Sequence, residues 1–156
     1  MDNRRYEKFT LLIDGIHKSI HKIKVDEAPK LGVKGVHVFW IFELASHPEG
    51  LTATELAAVS RIDRSLVSRE IEALKNDGYI TTVSGERARK YNERLVLTDK
   101  GKVLAEDIIA MVDDIQNRVS DGISHEELSV FYSVLERLYD NFEAVCENPK
   151  GLNVEE

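Results

Sequence analysis

The sequence predicts a mainly α fold that carries one small β-hairpin. Apolar residues recur at helical three- and four-residue steps near both ends of the chain. Two Ser/Thr-x-x-Glu boxes, at Thr52 and Ser124, mark helix starts. Two β-branched runs, "YITTV" and "RLVLT", flank the polar stretch "SGERARKYNE" and read as paired strands with a long tip.

A chain of 156 residues, 42% hydrophobic and 31% charged, is expected to form one globular domain over residues 1–156. Its charged start, "MDNRRYEKFT", does not resemble a signal peptide, and no apolar run approaches a membrane span. The single Cys146 excludes an internal disulfide and suits a reducing compartment. The expectation is a cytoplasmic protein with no membrane partner.

The elements follow in order. Phe9, Leu12, Ile16, Ile20 and Ile23 form one face of an amphipathic helix from about Arg4 to Lys24. Pro29, Gly32 and Gly35 then break the chain. "VHVFWIFELA", Val36 to Ala45, is apolar on nearly every side and runs to a stop at "HPEG", which favours a buried helix over a buried strand. Thr52 and Glu55 cap a short helix, "ATELAAVS", expected to bury Leu56 and Val59. Asp63 is placed to cap a second helix that ends near Asn76, where Asp77-Gly78 supplies the residue that most cheaply turns left-handed. After the hairpin, Leu104, Ile108, Met111, Ile115 and Val119 stripe one long helix. Leu128, Phe131, Leu135, Leu138, Phe142 and Val145 form a coiled-coil-like seam on another.

Two short helices joined by a tight turn and followed by a hairpin make a winged helix-turn-helix, here over residues 33–98. "LTATELAAVSRIDRSLVSREIEALKNDGYI", Leu51 to Ile80, followed by "LVLTDKG", Leu95 to Gly101, resembles the MarR family of transcriptional regulators. Leu-Thr, Glu-Leu-Ala, Arg-Ser-x-Val-Ser-Arg and Leu-Thr-x-x-Gly stand in the family's order, and "HPEG" just upstream is also typical. The resemblance implies a sequence-specific regulator, more often repressor than activator. It would bind double-stranded DNA as a homodimer through residues 3–25 and 99–147.

The charge distribution accommodates that reading despite a net charge of −7. Residues 1–59 hold eight basic and eight acidic side chains, and residues 60–94 hold eight and six. The last segment, residues 95–156, holds five and fourteen, so the acid is concentrated away from the helix-turn-helix. Val67, Ile71 and Leu74 are spaced to anchor the second helix. Arg64, Ser65, Ser68 and Arg69 are left on its other side near the N-terminus, with Arg61 in the turn before it. Arginine can grip guanine with two hydrogen bonds, serine can serve bases or phosphates, and a helix N-terminus favours phosphate. The competing expectation pairs Arg64 and Arg69 with Asp63, Glu70 or Glu72 on a solvated face.

The wing carries Arg87, Arg89 and Lys90. The family often has an Asp followed by two basic residues at the tip, whereas Arg89-Lys90-Tyr91 has no acid in that place. Arg89 is the first candidate for the minor groove and Arg87 the second, with Arg94 for phosphate contact or strand support.

Family members commonly release DNA when a small aromatic or anionic effector binds. Ile16, His37 and Trp40 are candidates for the wall of such a pocket, although plain core is the competing role for Trp40. Asp14, His17 and His21 lie along one side of the first helix, which suggests a metal-responsive alternative, but no fourth ligand is near in sequence and no metal is expected. Cys146 reads as an apolar filler rather than a redox sensor. No cofactor motif, glycine-rich phosphate loop or nucleophile motif is present, so the chain is not expected to be an enzyme. The rival from another class is a winged-helix protein-interaction module that has lost DNA binding.

Overall fold

The computed structural model describes residues 3–62, 64–83 and 93–148, with Asn3 and Arg64 described by their backbone alone. In chain order the elements are α1 (Asn3–Glu27), a single 3-10 turn (Ala28–Leu31), α2 (Gly35–Ser46), α3 (Ala53–Ser60), α4 (Arg64–Asn76), β1 (Ile80–Val83), β2 (Arg94–Leu97), α5 (Asp99–Val119) and α6 (His125–Glu147). The fold is the mainly helical one expected, with one antiparallel strand pair among the described residues. The chain divides into two compact units, Met1–Asp113 and Asp114–Glu156, with the division falling inside α5.

The first unit has a continuous apolar core. Trp40 and Ile41 from α2, Leu56 from α3, Val67 and Leu74 from α4, and Ile108 from α5 are fully buried. The ambiguous segment after Gly35 is thus a helix, its apolar surround explained by neighbours on several sides. One expectation fails here: Val59 is 45% exposed. Helix α3 has only eight residues, and Leu56 alone among them is buried.

Both capping boxes form. Thr52 Oγ1 accepts from Glu55 N at 3.1 Å while Thr52 N donates to Glu55 Oε2 at 2.7 Å. Ser124 and Glu127 repeat the arrangement at 3.2 and 2.9 Å. Gly78 takes φ +77° just after α4, the left-handed conformation its position predicted. Asp63, the expected cap of α4, lies outside the described residues.

The strands pair in the register Ile80↔Leu97, Thr81↔Val96, Thr82↔Leu95 and Val83↔Arg94. A third segment joins them, since Leu51 bridges Leu95 through backbone hydrogen bonds of 3.1 and 2.7 Å. Arg94 Nη1 donates to the Gly50 carbonyl and lies 3.8 Å from Glu55 Oε2, which realises the strand-support role. Thr98 ties the hairpin to α5: its Oγ1 donates to the Gly78 carbonyl at 2.7 Å and accepts from Gly101 N at 3.0 Å.

In the second unit, no residue of α6 is fully buried. Leu128, Leu135 and Leu138 are half-buried, while Phe131, Phe142 and Val145 are exposed. Helix α1 also leaves Leu12, Ile16 and Ile20 exposed.

Candidate nucleic-acid interface

Helices α3 and α4 are joined by a turn that the chain makes at a cost. Arg61 closes α3 at φ +53°, a positive value for a non-glycine residue. The amides of Arg61 and Ile62 satisfy the last carbonyls of α3, donating to Ala58 and Ala57, each at 3.3 Å. This reverses the chain and starts α4 at Arg64.

Helix α4 then sorts its side chains by spacing. Val67, Ile71 and Leu74 are all buried, each contributing on the order of 1.5–3 kcal/mol of apolar burial. Ser65, Ser68 and Arg69 are exposed, and Leu66 is half-buried. Arg61 is exposed in the turn. The chain thereby gathers Arg61, Ser65, Ser68 and Arg69 around the turn and the first half of α4, on the side opposite its anchors. Arg64 begins the helix but its side chain lies outside the described residues, as do Arg87, Arg89 and Lys90 of the wing.

Of the pairs named by the competing expectation, Arg69 with Glu70 forms, though the carboxylate is buried, while Asp63 and the side chain of Arg64 lie outside the described residues. Glu72 pairs with Lys75 at 3.3 Å, one turn away from the arginines. Glu70 is buried at 6% exposure. Its Oε2 accepts from Lys34 Nζ at 2.7 Å and from His37 Nε2 at 3.0 Å, while Oε1 lies 3.5 Å from Arg69 Nε. The hydrogen bond from Lys34 holds the Glu70 carboxyl below its ordinary value against burial, and the His37 bond helps. Burial pushes the His37 imidazole below its ordinary value, against the pull of Glu70. An ionised carboxylate only accepts, so the neutral His37 ring carries its proton on Nε2. Sequence reasoning missed this cluster. The signal was available: position 70 falls three residues after Val67 and four before Leu74, on the inward stripe.

The three effector candidates have distinct settings. His37 is engaged with Glu70 and its ring centroid lies 6.1 Å from that of Trp40. Trp40 is fully buried, and its Nε1 has no hydrogen-bond partner among the described residues. Ile16 is 49% exposed on α1. A cleft of about 570 Å³ lies instead among α1, α2 and the end of α3, walled by His21, Lys24, Val36, Phe39, Val59 and Ile62. Val59, expected in the core, lines this cleft. On α1, Asp14 pairs with Lys18 at 2.7 Å. Among the described residues no cluster of three His, Cys, Asp or Glu could hold a metal ion. No described helix is long and apolar enough to cross a membrane.

Comparison with known proteins agrees with this geometry. Residues 31–90, which include α2, the helix-turn-helix and β1, match the model of the MarR family. The chain is 27% identical over 122 residues to the HTH-type transcriptional regulator BilQ of Clostridium symbiosum (strain WAL-14163), covering 76% of this chain and 81% of that protein. Its fold matches a MarR family transcriptional regulator from Listeria monocytogenes complexed with a 26mer DNA, at TM-score 0.77 and 22% identity over 92% of this chain and 95% of that one. It also matches Streptococcus pneumoniae FabT in complex with DNA, at TM-score 0.69 and 21% identity over 92% and 99%. The sequence motifs, the capped helix-turn-helix and the hairpin agree with these likenesses, and over residues 31–90 the chain is similar to the MarR family of transcriptional regulators.

Proposed function

We propose that the protein regulates transcription by binding pseudo-palindromic operator DNA as a homodimer, and that it acts as a repressor. The observation that carries this reading is the sorting of α4: three buried anchors fix the helix, and Ser65, Ser68 and Arg69 are presented outward at its start. Arg64 joins them by sequence, as do Arg87, Arg89 and Lys90 on the wing. Arginine reads guanine in the major groove, and basic residues along the wing neutralise phosphate or enter the minor groove. The DNA bound to the Listeria monocytogenes and Streptococcus pneumoniae relatives supports the same partner here.

The exposed apolar faces of α1 and α6 support the homodimer, because a second subunit would remove Leu12, Ile16, Phe131 and Phe142 from water. Two-fold symmetry sets the reading helices about one DNA turn, roughly 34 Å, apart. The cleft beside α1 supports a small effector with an apolar or aromatic body and an anionic group, its body against Phe39 and Val36 and its charge toward Lys24. A cytoplasmic location goes with this function.

Selection of bound duplexes from a random pool tests the proposal. A palindromic consensus of two half-sites about one turn apart is the expected result. A protein that retains no duplex is the result that favours the protein-interaction module.

A further inference from the structure

A carboxylate buried among apolar anchors is an expensive choice for a helix that needs only to be held down. An apolar side chain at position 70 would complete the inward stripe of Val67, Ile71 and Leu74 with no desolvation cost. Packing therefore does not account for Glu70. Its two oxygens have different neighbours. Oε2 is fixed by Lys34, in the segment before α2, and by His37 on α2, while Asp77 acts on His37 from beyond the end of α4. Oε1 faces Arg69 Nε at 3.5 Å. Adjacent residues on a helix ordinarily diverge. Here the buried acid and the exposed arginine are brought together by the arginine's reach, and the arginine side chain keeps 74% of its exposure.

We propose that Glu70 is a positioning residue for DNA reading: clamped by Lys34 and His37, it holds Arg69 by Nε and so aims the paired Nη groups of the guanidinium at a base. The inference rests on the DNA-binding reading above. Its physical basis is preorganisation. An exposed arginine must give up rotamer freedom when it docks, and an anchor at Nε removes part of that loss before DNA arrives. The bidentate edge that recognises guanine is left available. Glu70 would then supply discrimination between bases without touching DNA.

The test is a cycle of variants in the full chain. Fluorescence anisotropy measures binding to a duplex selected by the wild type from a random pool and to a scrambled duplex of the same composition, with thermal melting as the check on folding. Glu70→Gln keeps the shape and removes the charge. It is expected to weaken binding to the selected duplex roughly tenfold by loosening a preorganised contact. Binding to the scrambled duplex should change by less than about twofold, since phosphate contacts carry it. In an Arg69→Ala background the same substitution should have no effect, because Glu70 acts through Arg69. If Glu70→Gln does not fold, Lys34→Met, which alters a largely exposed side chain, is put through the same cycle and should lower affinity for the selected duplex alone. Equal loss on both duplexes, an undiminished loss in the Arg69→Ala background, or no loss at all would overturn the inference and leave Glu70 as a brace. A wild type that binds neither duplex overturns the DNA-binding reading as well.

Discussion

Glu70 and His37 lie 33 positions apart on different helices, yet Glu70 Oε2 and His37 Nε2 meet at 3.0 Å inside the core. The pair makes stability depend on pH in a definite direction. In the unfolded chain the imidazole takes up its proton as pH falls through about 6.5, whereas in the folded chain burial lowers that value. Between the two values the unfolded chain binds more protons, so stability is complete above about pH 6.5 and declines as pH falls through the folded value. Glu70 adds a second decline further down. Its contribution is present above about pH 4.5, the unfolded value, and is lost as pH falls through its lowered folded value. Melting temperature followed from pH 8 down to about pH 2 should fall in both windows. His37→Asn, which does not titrate, should remove the upper decline; a decline that persists in the variant assigns it to other groups.

Arg69→Ala and Arg64→Ala should each weaken specific DNA binding by roughly 1–3 kcal/mol if each reads a base, and relax the preference at one position in each half-site. The wild-type complex should also weaken steeply as salt is raised from 50 to 200 mM (about the range in which counterion release is measured). Titrations against the selected duplex check both statements. Unchanged affinity in both variants would take these arginines out of the reading surface.

Gly101→Ala should destabilise the first unit by about 1–3 kcal/mol, because a methyl group there would overlap the Tyr79 carbonyl that sits against the start of α5. Urea unfolding gives the number. A neutral substitution would mean that α5 can shift away from the hairpin without cost.

Phe142→Glu places a charge in the seam of α6, at a side chain 42% exposed in the single chain. It should convert a dimer into a monomer in sedimentation at micromolar concentration while leaving the melting of the first unit largely unchanged. Sedimentation of the wild type as a monomer would remove the dimer itself.

Most of the fold was legible because its signals are local. The two capping boxes, Gly78 and the spacing of Val67, Ile71 and Leu74 each specify a neighbour within a turn or two of helix. The missed features are long-range. Leu51 reads as the lead-in to a capped helix, and its partner Leu95 lies 44 residues away. Lys34 and His37 carry no mark in sequence that ties them to Glu70. Val59 was misplaced because it stands three positions after Leu56, as a residue of the same face would, and an eight-residue helix is too short to show where that face ends. Of the candidate reading surface, the exposed side of α4 followed from helical spacing, whereas the acid beneath it was hidden in the same stripe as the anchors.

The bridge between Leu51 and Leu95, reinforced by Arg94 on the Gly50 carbonyl, has a mechanical consequence. The lead-in to α3 and the return strand of the hairpin are stitched at one point, so the base of the wing cannot slide against the helix-turn-helix without parting two backbone hydrogen bonds. The half of the molecule that would grip an operator has a stiff frame. In the proposed complex with DNA, such a frame would pass the strain of a poorly fitting groove to the duplex, and the ease with which a sequence bends or narrows would then contribute to selection.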